Sequence, residues 1–105
     1  MLESEVESYF VARVEALGGV AEKTRAIGSR GYFDRVAVIP VWYGATHPKI
    51  GQPVARVIFA ELKRPKGGKL AEHQRQRQVL YRCKLGAEAV VLKSKEDVDA
   101  LLGPA

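Results

Sequence analysis

One stretch of the chain, residues 54–63, reads VARVIFAELK: an almost continuous apolar run that ends in Glu61-Leu62-Lys63. Pro53 precedes the run and Pro65 follows it. A short apolar run between turn-forming residues is typical of a strand buried in the middle of a sheet. Residues two apart on a strand point to the same face, so Glu61 and Lys63 are predicted to project together from its end.

A second apolar run starts at Asp34, 27 residues before Glu61, and ends before Pro40. If the two strands are antiparallel neighbours, the start of one lies beside the end of the other, which places Asp34 near Glu61. Two carboxylates there suit Mg²⁺ or Mn²⁺, because both ions prefer oxygen ligands. Lys63 would then orient a water molecule or neutralise charge on a phosphate. The alternative is that Glu-x-Lys marks an ordinary solvated strand end.

The remaining patterns predict helices and strands around these two strands. Apolar residues recur at helical spacing over residues 6–17, Ser4–Glu7 reads as a capping box, and Gly18-Gly19 ends the pattern. The predicted elements are a helix over 4–18, strands over 20–24, 34–39 and 54–62, a helix over 70–85, a strand over 87–92 and a helix over 94–102. This order, αβββαβα, predicts one α/β domain over residues 1–105, with a mixed sheet flanked by helices.

Charge is unevenly distributed along the 105 residues, whose net charge is +5. Residues 23–84 contain fourteen Lys or Arg and only three acids, which are Asp34, Glu61 and Glu72. A basic block of this kind suits a polyanion such as nucleic acid. No apolar run is long enough to span a bilayer, and the one cysteine, Cys83, is predicted to lie in the core and excludes an internal disulfide. We therefore expect no membrane association and a cytoplasmic location.

The two charged motifs together resemble a known signature. The segment Gly31–Arg35, which reads GYFDR, followed by Glu61-Leu62-Lys63, resembles the motif of PD-(D/E)XK nucleases and, more closely, of the virus-type replication-repair nuclease (VRR-NUC) domain. The resemblance runs from about Glu3 to Leu102, and it departs from the family at Phe33, where the family usually has Pro. It implies a restriction-endonuclease-like fold and metal-dependent hydrolysis of phosphodiester bonds.

The resemblance also implies roles for individual residues. The implied metal ligands are carboxylates, and the other implied catalytic residues act on water, metal or phosphate. The metal ligands are Asp34, Glu61 and Glu7, with Glu3 as the alternative to Glu7; Lys63 assists the water, and Gln74 positions metal, water or phosphate. Without the resemblance, Glu7 would be read equally well as part of the capping box with Ser4. The implied cofactor is Mg²⁺ or Mn²⁺, with no small-molecule cofactor. The implied substrate is DNA, branched as in a Holliday junction, and the implied assembly is a homodimer.

Basic residues near the two motifs are candidates for contacts to the DNA backbone. They are Lys23, Arg30, Arg35, Arg64, Lys66, Lys69, Arg75 and Arg77. Trp42 and Tyr43 are predicted to stack on exposed bases, pack at a dimer interface or cover an edge of the core. Two alternatives to the enzyme remain open at this point: a non-catalytic nucleic-acid-binding module on the same fold, and a basic interaction domain with no nucleic-acid role.

Overall fold

The computed structural model describes residues 2–24, 33–42 and 51–104. Its helices and strands follow the predicted order, with one π-helical segment in addition. The elements are α1 (Glu3–Ala16), β1 (Val20–Lys23), β2 (Arg35–Trp42), β3 (Pro53–Leu62), α2 (Glu72–Val79), the π-helical segment (Leu80–Lys84), β4 (Glu88–Leu92) and α3 (Lys95–Leu102). In the described ranges, no helix is long and apolar enough to cross a membrane.

The four strands form one mixed sheet in the order β1-β2-β3-β4. β1 and β2 are antiparallel, β2 and β3 are antiparallel, and β3 and β4 are parallel. The parallel pair needs a crossover connection, which α2 and the π-helical segment provide. β3 therefore lies inside the sheet, as its apolar sequence predicts, and the mixed α/β fold is confirmed.

Helices α1 and α3 cover one face of the sheet. Val6, Phe10 and Val14 of α1 have no solvent exposure and pack against strand residues such as Ile58. Full burial of each of these side chains stabilises the fold by roughly 1.5–3 kcal/mol. The predicted stripe ends one turn early, because Leu17 follows the last helical turn and is 43% exposed.

The two ends of α1 depart differently from the sequence prediction. The predicted capping box is wrong: Leu2 occupies the N-cap position without a side-chain hydrogen bond, and Ser4 already lies inside the helix. The predicted stop is confirmed, since Gly18 adopts a positive φ of 84° and its N–H donates to the Glu15 carbonyl at 2.9 Å.

The opposite face of the sheet carries an aromatic cluster. Phe59 alternates with the core residue Ile58 along β3 and so points away from α1. Its ring centroid lies 4.9 Å from that of Tyr81 in the π-helical segment and 5.3 Å from that of Phe33.

The predicted continuous α-helix over 70–85 is wrong in its last part. Over Leu80–Lys84 the backbone is π-helical, and hydrogen bonds such as that from the Leu85 N–H to the Leu80 carbonyl span five residues.

This same segment corrects a further expectation. Cys83 was predicted to lie in the core, on the apolar side of a regular helix. It is exposed together with Val79 and Leu80, because the helical side that faces the sheet carries Gln78 and Tyr81 instead.

Candidate active site

Sheet register brings the two central carboxyl groups together. Arg35 of β2 pairs with Ala60 of β3, and continuing this antiparallel register by one residue sets Asp34 opposite Glu61. The Glu61 side chain is buried, with 2% exposure. The backbone N–H of Leu62 donates a hydrogen bond to Asp34 Oδ2 at 2.9 Å, which fixes the Asp34 carboxylate against the end of β3.

The pKa of Glu61 is raised from 4.5 to about 8, mainly by burial and in addition by the negative charge of Asp34 and a hydrogen bond with Asp34. The ammonium of Lys63 lowers the pKa and the charge of Glu3 raises it, each by less. A buried carboxyl group beside a second carboxylate lacks full charge compensation from the protein. A divalent cation would supply that compensation, so the pair fits Mg²⁺ or Mn²⁺.

Lys63 and Gln74 both reach Glu61. Lys63 Nζ lies 3.9 Å from Glu61 Oε1, so the two side chains project together. Gln74 Nε2 donates to the same oxygen at 2.7 Å, while Gln74 Oε1 accepts from the N–H of Ala71 at 2.9 Å. Both ends of the Gln74 amide are therefore held, and α2 fixes the orientation of the Glu61 carboxyl group.

The acids of α1 occupy two different places. Glu7 Oε2 accepts from Arg35 Nε at 2.8 Å, and Arg35 also donates to the carbonyl of Ala21 at 2.9 Å. Glu3, one turn earlier, is the helix acid whose charge raises the pKa of Glu61. Within residues 2–24, 33–42 and 51–104, no three acidic, histidine or cysteine side chains form a group that could hold a metal ion. The structure thus assembles Asp34 and Glu61, while Glu7 is engaged by Arg35.

The predicted DNA-contacting residues fall into two groups. Those with partners are Arg35, Arg75, which pairs with Glu72 at 3.2 Å, and Arg77, whose guanidinium carbon lies 5.9 Å from the centre of the Tyr81 ring. Those on the exposed surface are Lys23 at the end of β1 and, in the turn between β3 and α2, Arg64, Lys66 and Lys69. Arg30 and Tyr43 lie outside the described residues. Trp42 is 64% exposed, so it does not cover an edge of the core formed by the described residues.

Two residues of the site were missed by sequence reasoning. Thr24 lies opposite Asp34: its N–H donates to the Asp34 carbonyl at 3.2 Å and its hydroxyl donates to the Phe33 carbonyl. Phe33 itself is buried between Phe59 and Tyr81 and so anchors the residue before Asp34. Antiparallel pairing of the predicted strands over 20–24 and 34–39 would have identified Thr24, whereas the aromatic packing of Phe33 carries no local sequence signal.

Comparison with known proteins finds a similar fold in a solved structure. A solved structure described as a VRR_NUC domain superposes with a TM-score of 0.77 and 29% sequence identity, over 94% of this chain and 91% of that chain. No protein-family model matches the chain, and no curated protein matches it. The similarity covers nearly the whole fold.

Proposed function

Because the chain is a VRR-NUC domain, we propose that it is a nuclease that hydrolyses phosphodiester bonds in DNA with a divalent metal ion. The observation that carries the proposal is the pair of the half-buried Asp34 and the buried Glu61, held beside Lys63 at the end of β3. A protein that only binds nucleic acid gains nothing from placing two acids next to its basic surface. Burial of the Glu61 carboxyl group also costs stability, and a bound cation would offset that cost.

The residues of this site divide the chemistry among them. Asp34 and Glu61 would hold Mg²⁺ or Mn²⁺, which when bound polarises a phosphoryl oxygen and lowers the pKa of a water nucleophile. Gln74 and the N–H of Leu62 keep the two carboxyl groups oriented. Lys63 donates a hydrogen bond from Nζ to the attacking water or to a phosphate oxygen, where negative charge develops during hydrolysis.

The proposal includes branched DNA as the preferred substrate and a homodimer as the active form. Support for a dimer comes from a row of apolar side chains on the sheet face turned away from α1. Val20, Val38 and Val57 lie side by side in the register, and Trp42 continues the same face. Val20 is 50% exposed and Trp42 64%. Two such faces related by a two-fold axis would bury each other and present two sites to a junction.

The experiment is cleavage of end-labelled four-way junction, flap and duplex DNA by the purified chain, with Mg²⁺, with Mn²⁺ and with EDTA. We expect cutting only with metal, fastest on the junction. Asp34→Asn and Lys63→Ala should each abolish measurable cutting, because one removes a metal ligand and the other the group that assists the water.

Two outcomes contradict this proposal. If no substrate is cut with either metal while DNA is bound in a salt-sensitive manner, the chain is the non-catalytic binding module. If both variants cut as fast as the wild type, Asp34 and Lys63 are not part of the active site. Sedimentation of the same samples tests the dimer, with a monomer at all concentrations contradicting that part alone.

A further inference from the structure

We propose that a cavity beside the carboxyl pair binds a phosphodiester group of the DNA strand that flanks the bond to be cut. The cavity has a volume of about 460 Å³ and lies between the start of α1 and the turn that joins β3 to α2. This inference rests on the proposed nuclease function, and it adds a defined position for the substrate backbone.

Cationic side chains dominate the lining of this cavity. Three of its lining residues are the cations Lys63, Arg64 and Lys69. The others are one acid, Glu3, and the uncharged Leu2, Ser4 and Gly68. In the part of the chain that the structure describes, the ion pairs do not include Arg64 or Lys69. Their charges therefore remain available for an anion, and a phosphodiester group carries the single negative charge and the acceptor oxygens that they would bind.

The turn holds these cations in one place because its backbone is tightly folded. A Cβ added to Gly68 would lie 2.3 Å from the carbonyl oxygen of Arg64, so a larger residue does not fit without opening the turn. Gly67 adopts a positive φ of 75°, which favours glycine. The turn thus folds back on Arg64 and brings Lys69 to the same cavity.

The cavity shares one residue with the candidate active site. Lys63 lines the cavity, and its Nζ lies 3.9 Å from Glu61 Oε1. A phosphate bound in the cavity would therefore lie near the carboxyl pair. Two of the other predicted DNA contacts, Arg35 and Arg75, are less suitable, because they already pair with Glu7 and Glu72.

The test measures binding of a fluorescently labelled DNA duplex to the full chain in EDTA, where metal-dependent cutting cannot occur. The cavity variant is Arg64→Gln/Lys69→Gln, and Lys69→Gln alone is the milder version. The matched control is Lys84→Gln/Lys95→Gln, which removes the same charge from exposed residues of the π-helical segment and α3. Affinity is measured between about 50 and 200 mM salt.

We expect the slope of log K against log salt to become shallower by about 1 in the cavity variant, since one phosphate contact is lost, and to stay at the wild-type value in the control. Equal slopes in the cavity variant and the control would overturn the proposal. So would a titration in which inorganic phosphate shifts the amide resonances of Gly68 and Lys69 while the cavity variant binds DNA like the wild type, because the cavity would then be a small-anion site. Cleavage is not measured in this experiment, so a failure of the nuclease proposal and a failure of the cavity proposal give different results.

Discussion

Replacing Glu61 with glutamine tests the electrostatics of the site directly. In the folded protein Glu61 keeps its proton up to about pH 8, whereas the same group in the unfolded chain releases it near the ordinary pKa of 4.5. Between these values the folded state holds one more proton than the unfolded state, so the free energy of unfolding falls as the pH rises. The free energy of unfolding falls by about 1.4 kcal/mol for each pH unit, and by about 5 kcal/mol between pH 4.5 and about 8.

Glu61→Gln removes this contribution because glutamine carries no titratable proton. We therefore expect the variant and the wild type to differ little near pH 4.5 and the variant to gain up to about 5 kcal/mol over the wild type by pH 8. The assay is urea unfolding in EDTA at several pH values, with the difference in the free energy of unfolding plotted against pH. Glu72→Gln is the control, since the Glu72 side chain is 68% exposed. A difference between Glu61→Gln and wild type that stays constant with pH would refute the reasoning.

Three further perturbations follow from the packing and the turns. Phe10→Ala should lower the free energy of unfolding by about 3–5 kcal/mol in urea melts, because Phe10 is fully buried, whereas Leu17→Ala should cost about 1 kcal/mol or less. Gly68→Ala should destabilise by more than Gly86→Ala: the first Cβ meets a backbone oxygen at 2.3 Å, and the second has open space and only the roughly 1–2 kcal/mol cost of a positive φ. Gln74→Ala should slow DNA cleavage by about ten- to a hundredfold, as expected for a lost hydrogen bond to a carboxyl group, and Gln76→Ala should not; equal rates for the two variants would contradict the role of Gln74.

The sequence was sufficient for the elements whose patterns are local. Period-two alternation at the end of β3 predicted that Glu61 and Lys63 project together, and antiparallel pairing predicted that Asp34 lies beside them. The apolar repeat of α1 and the glycine stop were equally clear. In each case residues a few positions apart, or one strand pairing, carry the information.

Contacts between distant residues could not be read in this way. Helix α2 contains three glutamines at alternate positions, Gln74, Gln76 and Gln78. Only the packing of the helix against the sheet determines that Gln74 contacts Glu61 while Gln78 donates to the carbonyl of Val90. The engagement of Glu7 by Arg35 depends on how α1 crosses the sheet. The π-helical segment escapes helical periodicity altogether, because its hydrogen bonds span five residues.

The central claim is that Asp34 and Glu61 together hold a divalent cation. The direct measurement is calorimetric titration of Mn²⁺ into the wild type, Asp34→Asn and Glu72→Gln, above and below pH 8. We predict that the wild type and Glu72→Gln bind Mn²⁺ and that Asp34→Asn does not. Binding should be tighter above pH 8, because below that pH the cation must first displace the proton on Glu61. Absence of Mn²⁺ binding by the wild type, or equal binding by Asp34→Asn, would contradict the account.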